Sequence, residues 1–129
     1  MRRDYQLSED DSQCLDAQGC DWDALVETKV KWIILRGYSI PTGYNVSAAD
    51  AAIRIPPSYP DDGLDMVYFF PALSLQNGRA IAKLTPHPLE GKQYQQWSRH
   101  YSWDPGLHSL CTHLLQIRSW LEWELRKAA

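Results

Sequence analysis

The segment from Trp97 to Gly106 holds the densest group of reactive side chains in the chain. Within it, Ser98 offers a hydroxyl, Arg99 a guanidinium and His100 an imidazole. Acyl transfer needs these group types: a nucleophile, a donor that stabilises the oxyanion, and a base that takes the proton of the nucleophile. An extended backbone would place Ser98 and His100 on one side, whereas a helix would separate them. We therefore take these three residues as the candidate catalytic group.

Aromatic side chains surround the candidate catalytic group. Interface hot spots are enriched in Tyr and Trp, so a binding surface is a second interpretation of the same region. Its predicted partner-binding residues are Tyr44, Tyr59, Trp97, Tyr101 and Trp103. The competing interpretation is packing, in which Trp97 and Trp103 fill the gap between the last helix and the sheet. Packing is favoured for the tryptophans, whereas structural and catalytic roles stay open for His100.

The remaining imidazoles supply weaker alternatives. Thr85 and His87 lie in the preceding loop and could replace members of the catalytic group. A hydrolase that uses His87 and His100 is a third interpretation, but no carboxylate is placed by spacing to orient either ring. His108 and His113 are five residues apart, which separates them on a helix. Surface or packing roles are expected for both, and neither a metal nor a cofactor is expected.

The three cysteines, Cys14, Cys20 and Cys111, show no CxxC spacing. An odd number of cysteines without such spacing predicts neither a disulfide framework nor a zinc site. Acidic neighbours give Cys14 no group that would lower its pKa. Each cysteine is therefore predicted to be a reduced, structural thiol.

Length and charge limit the classes of function. The 129 residues, 44% of them hydrophobic, fit a single domain over 1–129. A net charge of -3, with 13 basic and 16 acidic residues spread along the chain, disfavours nucleic acid and anionic membranes as partners. No signal peptide or membrane span is evident. A cytoplasmic location is expected, and the oligomeric state stays open.

Hydrophobic periodicity predicts an α+β fold with a helix at each end and a four-stranded antiparallel meander between them. The first helix begins at Ser8, which can cap it, and ends at Gly19. Strands are predicted over residues 22–26, 30–35, 49–55 and 66–70. Periodicity is then lost for about thirty residues, which predicts a long irregular loop. A C-terminal amphipathic helix follows Gly106, and its apolar stripe comprises Leu107, Leu110, Cys111, Leu114, Ile117, Leu121 and Leu125.

Several short motifs occur in an order that points to a known superfamily. They are Pro41-Thr42-Gly43-Tyr44-Asn45, Arg54-Ile55-Pro56-Pro57-Ser58-Tyr59-Pro60, Asn77-Gly78-Arg79, Gln96-Trp97-Ser98-Arg99-His100 and Trp103-Asp104-Pro105-Gly106. Together with the order of elements, they resemble the ubiquitin-conjugating (UBC) fold, and within that superfamily the prokaryotic family E. The resemblance implies a role in a bacterial ubiquitin-like modification system, encoded beside an activating enzyme, a ubiquitin-like protein and a metal-dependent isopeptidase.

The sequence departs from the superfamily at the position of the active site. A typical conjugating enzyme has a His-Pro-Asn triplet shortly before its nucleophilic cysteine, and here Phe70-Pro71-Ala72 replaces it. The cysteine position falls at Ala80 or Ile81, and neither side chain can form a thioester. The first hypothesis is therefore a noncanonical acyl carrier or transferase that uses a hydroxyl or an imidazole. The alternative is a non-catalytic binding module that recruits the activating enzyme or the ubiquitin-like protein.

Overall fold

The structure is a computed structural model that describes residues 1–127. Within them the chain forms one mixed α+β arrangement, in which a six-stranded antiparallel sheet has the order β1-β2-β3-β4-β6-β5. The elements are α1 (Glu9–Asp16), β1 (Asp21–Glu27), β2 (Val30–Ser39), β3 (Ala48–Ile55), β4 (Val67–Phe70), β5 (Leu84–Leu89), β6 (Lys92–Trp97) and α2 (Leu110–Lys127). The α+β class and the two terminal helices are confirmed. The four predicted strands pair in sequence order as an antiparallel meander, but the predicted total of four is wrong, because the sheet contains two further strands.

The two additional strands form a hairpin inside the segment that was predicted to be irregular. Pro86 and Pro88 hide β5 from a sequence pattern, since proline cannot donate to a ladder. Strand β5 lies at the edge of the sheet and pairs only with β6, so the missing N–H groups break no interior ladder. Glu90 and Gly91 form the turn with φ of 57° and 70°, as a two-residue type I′ hairpin requires.

Strand β2 also runs further than predicted. The pattern ended it at Leu35, yet its pairing with β3 resumes at Tyr38 after a register shift. Gly37 has a φ of +66° at this bulge, and its amide donates to Asp50 at 3.0 Å. Gly37, which lies beyond the predicted end of the strand, therefore permits a bulge within it.

Strands at the two ends of the sheet contact each other, which shows that the sheet curls strongly. Five strand spacings would separate β1 from β5 by about 24 Å in a flat sheet. Instead the amide of Glu90, at the tip of the β5–β6 hairpin, donates to the carboxylate of Glu27 in β1 at 3.0 Å. Arg36 of β2 binds both carboxylate oxygens of Glu90 and also reaches Asp23 and Asp50. The curl encloses a second apolar cluster comprising Leu25, Trp32, Ile34, Ala52, Tyr68, Leu89 and Tyr94.

The two helices cover the other face of the sheet. Helix α1 begins as predicted, since the Ser8 side chain accepts from the amide of Asp11 and satisfies a free donor of the first turn. Helix α2 begins at Leu110, later than predicted, and Leu107 lies before it with 74% of its surface exposed. The buried stripe of α2 consists of Leu110, Leu114, Ile117 and Leu121.

The expectation of three reduced thiols is wrong for two of the cysteines. Cys14 of α1 and Cys111 of α2 form a disulfide, with their Cα atoms 5.6 Å apart. The packing of α1 against α2 brings them together, and a separation of 97 residues left no spacing signal in the sequence. Cys20 is free and half-buried. Within residues 1–127, no helix is long and apolar enough to cross a membrane.

Candidate functional site

The loop between β4 and β5, residues 71–83, is fixed at both of its ends. Asn45 holds the first part, because its side chain donates to the carbonyl of Ala72 at 3.0 Å and accepts from the amide of Ser74 at 2.9 Å. Arg79 holds the second part, since its guanidinium donates to the Glu124 carboxylate of α2 at 3.0 Å. The motif at 41–45 thus supports the loop at 71–83 through Asn45.

No sulfur atom lies on this loop. Ala80 is exposed and Ile81 is half-buried at the positions where the resemblance placed a nucleophile. The Cys14–Cys111 disulfide lies at the start of α2, whereas the loop contacts Glu124 near the end of that helix. Thirteen helical residues at 1.5 Å each separate these two points by about 20 Å. The disulfide cysteines therefore cannot serve this loop without a large movement.

The side chains of the candidate catalytic group have different partners. Ser98 lies 3.4 Å from the Gln96 amide nitrogen, which donates to its hydroxyl oxygen. Arg99 donates to the carbonyls of Ala82 and Ser98 and lies 3.7 Å from the Glu124 carboxylate. In the described chain, no hydrogen bond joins Ser98 to His100. The structure thus brings the three residues together along a non-helical segment without assembling them around one point.

His100 has an orienting carboxylate that the sequence did not indicate. Its Nδ1 lies 3.0 Å from Oδ2 of Asp65, and the two side chains are 64% and 50% exposed. A proton on Nδ1 would be donated to Asp65, which leaves Nε2 as a proton acceptor open to solvent. This is the arrangement of a general base held by a carboxylate. Thirty-five residues separate the pair. Asp65 lies in an acidic loop, and nothing in the local sequence distinguishes it from an ordinary solvent-exposed carboxylate.

His113 is buried in a fully bonded pocket beneath the same segment. Its Nε2 lies 2.9 Å from the carbonyl of Met66, so that nitrogen carries the proton and donates it. Its Nδ1 then accepts from the hydroxyl of Tyr101 at 2.7 Å. Burial lowers the pKa of His113 to about 4, so the ring stays neutral at pH 7. Of the surface or packing roles expected for this histidine, its burial shows packing.

The predicted partner-binding residues fall into two groups. Tyr44 and Trp97 are 2% and 0% exposed, and both belong to the main core. Their prediction as interface residues does not fit this fold, because the sheet and α2 already cover them. Both side chains can be buried in the core because the hydroxyl of Tyr44 donates to the carbonyl of Leu121 and the indole of Trp97 donates to the side-chain oxygen of Gln95. Their polar atoms are thereby satisfied.

Tyr59, Tyr101 and Trp103 remain half-exposed. Trp103 packs over the backbone of Gly63 so closely that a side chain there would meet its ring, and its indole donates to the carbonyl of Pro60. Tyr101 lies between Trp103 and the buried His113. These contacts show that the aromatic residues fix the 97–106 segment, while their outer edges stay accessible.

A cavity of about 740 Å³ lies between α1, the proline-rich segment 56–60 after β3 and the start of α2. Tyr59 bridges its walls, donating to Asp11 at 2.9 Å and accepting from the amide of Leu110 at 2.8 Å. The disulfide of Cys14 and Cys111 also lines it. In the part of the chain that the structure describes, no group of three or more His, Cys, Asp or Glu side chains could hold a metal ion.

Glu124 is the buried charge that sequence reasoning missed. It is 1% exposed, and its carboxylate binds Arg79 at 3.0 Å and Lys127 at 3.1 Å. Burial opposes its ionisation, but the hydrogen bonds from Arg79 and Lys127 prevail and hold its pKa below the usual value. The only signal in the sequence was a glutamate next to the apolar stripe of α2, where an exposed position would be the ordinary expectation.

Comparison with known families identifies the class to which this arrangement belongs. The model of prokaryotic E2 family E matches residues 7–124, nearly the whole chain. The protein is thus a prokaryotic ubiquitin-conjugating-like (E2-like) protein. In particular, the chain belongs to prokaryotic E2 family E, as its motifs predicted. Comparison with curated proteins and with solved structures gives no match.

Proposed function

We propose that the protein is a non-catalytic E2-like module of a bacterial ubiquitin-like modification system. It binds the ubiquitin-like protein or its activating enzyme and carries no thioester of its own. The observation that supports this proposal most strongly is the thiol-free loop at 71–83 in a member of an E2 family. We place it in the cytoplasm and treat 1–129 as one domain.

Three features of the site support binding over covalent catalysis. Acyl transfer needs a nucleophile beside its base, and Ser98 bonds to Gln96 rather than to His100. The oxyanion donor is also engaged, because Arg99 contacts two carbonyls and the Glu124 carboxylate. Half-exposed aromatic edges at Tyr59, Tyr101 and Trp103 supply contact area of the kind enriched at interfaces.

A second function, a noncanonical acyl carrier or transferase, is favoured by one observation. His100 is accessible and pairs with Asp65 at 3.0 Å, which would hold its Nε2 ready to take a proton. In this scheme His100 acts as the base or as the acyl acceptor, Ser98 as the alternative acceptor and Arg99 as the donor to the oxyanion.

One experiment separates the two functions. The protein is incubated with the activating enzyme, the ubiquitin-like protein and ATP, then separated by size-exclusion chromatography, and the recovered chain is weighed by denaturing mass spectrometry. The binding function predicts a complex in which this chain keeps its unmodified mass. The transferase function predicts an adduct that disappears in Ser98→Ala or His100→Ala and weakens in Asp65→Asn. If neither complex nor adduct forms, both functions are refuted.

A further inference from the structure

We propose that the last turn of α2, with Arg79 and Arg99 beside it, is a docking surface for an acidic segment of a protein partner. This inference rests on the proposed binding function and specifies the chemistry of the partner. The surface consists of Arg79, Arg99, Trp123, Arg126 and Lys127, and we call it the basic surface.

The first observation is an excess of cations around one buried carboxylate. Glu124 faces three cationic groups, Arg79 at 3.0 Å, Lys127 at 3.1 Å and Arg99 at 3.7 Å. One carboxylate cannot neutralise three cations, so two positive charges stay uncompensated in this cluster. Arg79 and Lys127 keep 33% and 41% of their side chains exposed. Both can therefore reach a second anion without leaving Glu124.

The guanidinium of Arg79 is incompletely hydrogen-bonded. Its Nε is buried and has no hydrogen-bond partner, while its terminal nitrogens donate to Ala80 and Glu124. The buried Nε is out of reach of a partner, but among the described residues Nη1 donates to the carbonyl of Ala80 alone, so one N–H group of this part-exposed guanidinium stays available to an arriving carboxylate.

The second observation is an exposed tryptophan next to these charges. Trp123 is 51% exposed, and Arg126 and Lys127 lie 5.5 and 5.7 Å from its ring centroid. Tryptophan and arginine are the residues most enriched at binding hot spots. A partner that presents an apolar side chain between acidic ones would cover the ring and pair with the flanking cations.

The balance of charge favours a short acidic segment over a nucleic acid. The basic surface holds four cations, and three of them contact the Glu124 carboxylate. When Glu122, four residues before Arg126 in the sequence, is also counted, the local net charge is about +2. The whole chain carries -3, which would repel an extended polyanion. A segment with two or three acidic side chains matches the excess, and local attraction would speed its association.

The test uses a fluorescein-labelled peptide of alternating Glu and Leu residues, with binding followed by fluorescence anisotropy at low and at high salt. We expect wild-type protein to bind and to lose affinity at high salt. The double variant R126E/K127E should weaken binding by roughly tenfold or more, and Trp123→Ala should do the same. The matched control K29E/R54E makes the same change in net charge at exposed positions elsewhere, and should stay within about twofold of wild type.

The outcomes are distinct from those of the proposed function. Unchanged peptide binding by R126E/K127E, or an equal loss in K29E/R54E, would overturn the docking surface, as would tighter binding of a single-stranded oligonucleotide. Thermal unfolding of each variant checks that the fold persists. The same variants are then tested against the ubiquitin-like protein and the activating enzyme. If wild type binds neither, the proposed function fails, whatever the peptide does; if R126E/K127E binds them like wild type, only the docking surface fails.

Discussion

The buried imidazole of His113 should make stability depend on pH between about 4 and 6.5. In the folded chain the ring donates to the carbonyl of Met66 and accepts from Tyr101. Protonation would place a proton on Nδ1, set it against the proton of the Tyr101 hydroxyl and leave a positive charge in a buried pocket. Asp65 is the charged group that favours protonation, but burial prevails and lowers the pKa to about 4.

The size of the effect follows from the two states of the ring. In the unfolded chain His113 titrates near pH 6.5, and in the folded chain near 4. Between these values the unfolded state binds more protons, so stability falls as the pH falls. A gap of about 2.5 pH units at 1.36 kcal/mol each corresponds to roughly 3 kcal/mol. The stability is fully present above pH 6.5, and the whole loss is reached near pH 4.

Urea unfolding followed by tryptophan fluorescence at a series of pH values measures this loss. The variant His113→Gln keeps a donor and an acceptor but cannot titrate. Its free energy of unfolding should therefore lose most of the change between pH 4.5 and 6.5, which is on the order of 2 to 3 kcal/mol in the wild type. Leu115→Ala, at an exposed position on the same helix, is the matched control and should keep the slope. An unchanged slope in His113→Gln would refute the reasoning.

Two further predictions concern the contacts that close the fold. Arg36→Met leaves the carboxylates of Asp23, Asp50 and Glu90 without their shared cation. We expect the free energy of unfolding in urea to fall by about 2 kcal/mol and amide exchange at the tip of the β5–β6 hairpin to become faster. Unchanged exchange would contradict the role of Arg36 in holding the hairpin tip. Cys14→Ser opens a loop of 97 residues, so the free energy of unfolding should fall by up to about 4 kcal/mol without reductant. Dithiothreitol should abolish that difference, and equal stability without reductant would argue against the disulfide.

The parts of the fold with a regular apolar pattern could be predicted from the sequence. The apolar stripe of α2 is buried, and the alternating residues Ala49, Ala51, Ile53 and Ile55 of β3 are buried in the main core, so the period and the burial agree. The β5–β6 hairpin could not be predicted, because Pro86 and Pro88 read as loop residues and the turn uses Glu90 at positive φ. Only pairing at the sheet edge reveals why both prolines are tolerated.

The candidate site was only partly predictable for a related reason. Local patterns predicted His100 as a candidate reactive residue, but its partner Asp65 lies 35 residues away. Glu124 and Arg79 are likewise brought together by the packing of a loop on α2. Pairs of charges that are distant in sequence leave no periodic signal. For a Tyr or a Trp, the burial of the side chain in the fold decides whether it belongs to the core or to a surface. Tyr44 was predicted as a partner contact, and Trp97 as a partner contact with packing as the favoured interpretation; both are core residues.

The most direct test of the proposed function is the mass of this chain when it is recovered from a complex with the ubiquitin-like protein or the activating enzyme after incubation with ATP. A loop without a thiol at Ala80 and Ile81, and a hydroxyl at Ser98 that bonds to Gln96, predict a stable complex and an unmodified chain. An adduct carrying the mass of the modifier, or the failure of any complex to form, would contradict a non-catalytic binding function.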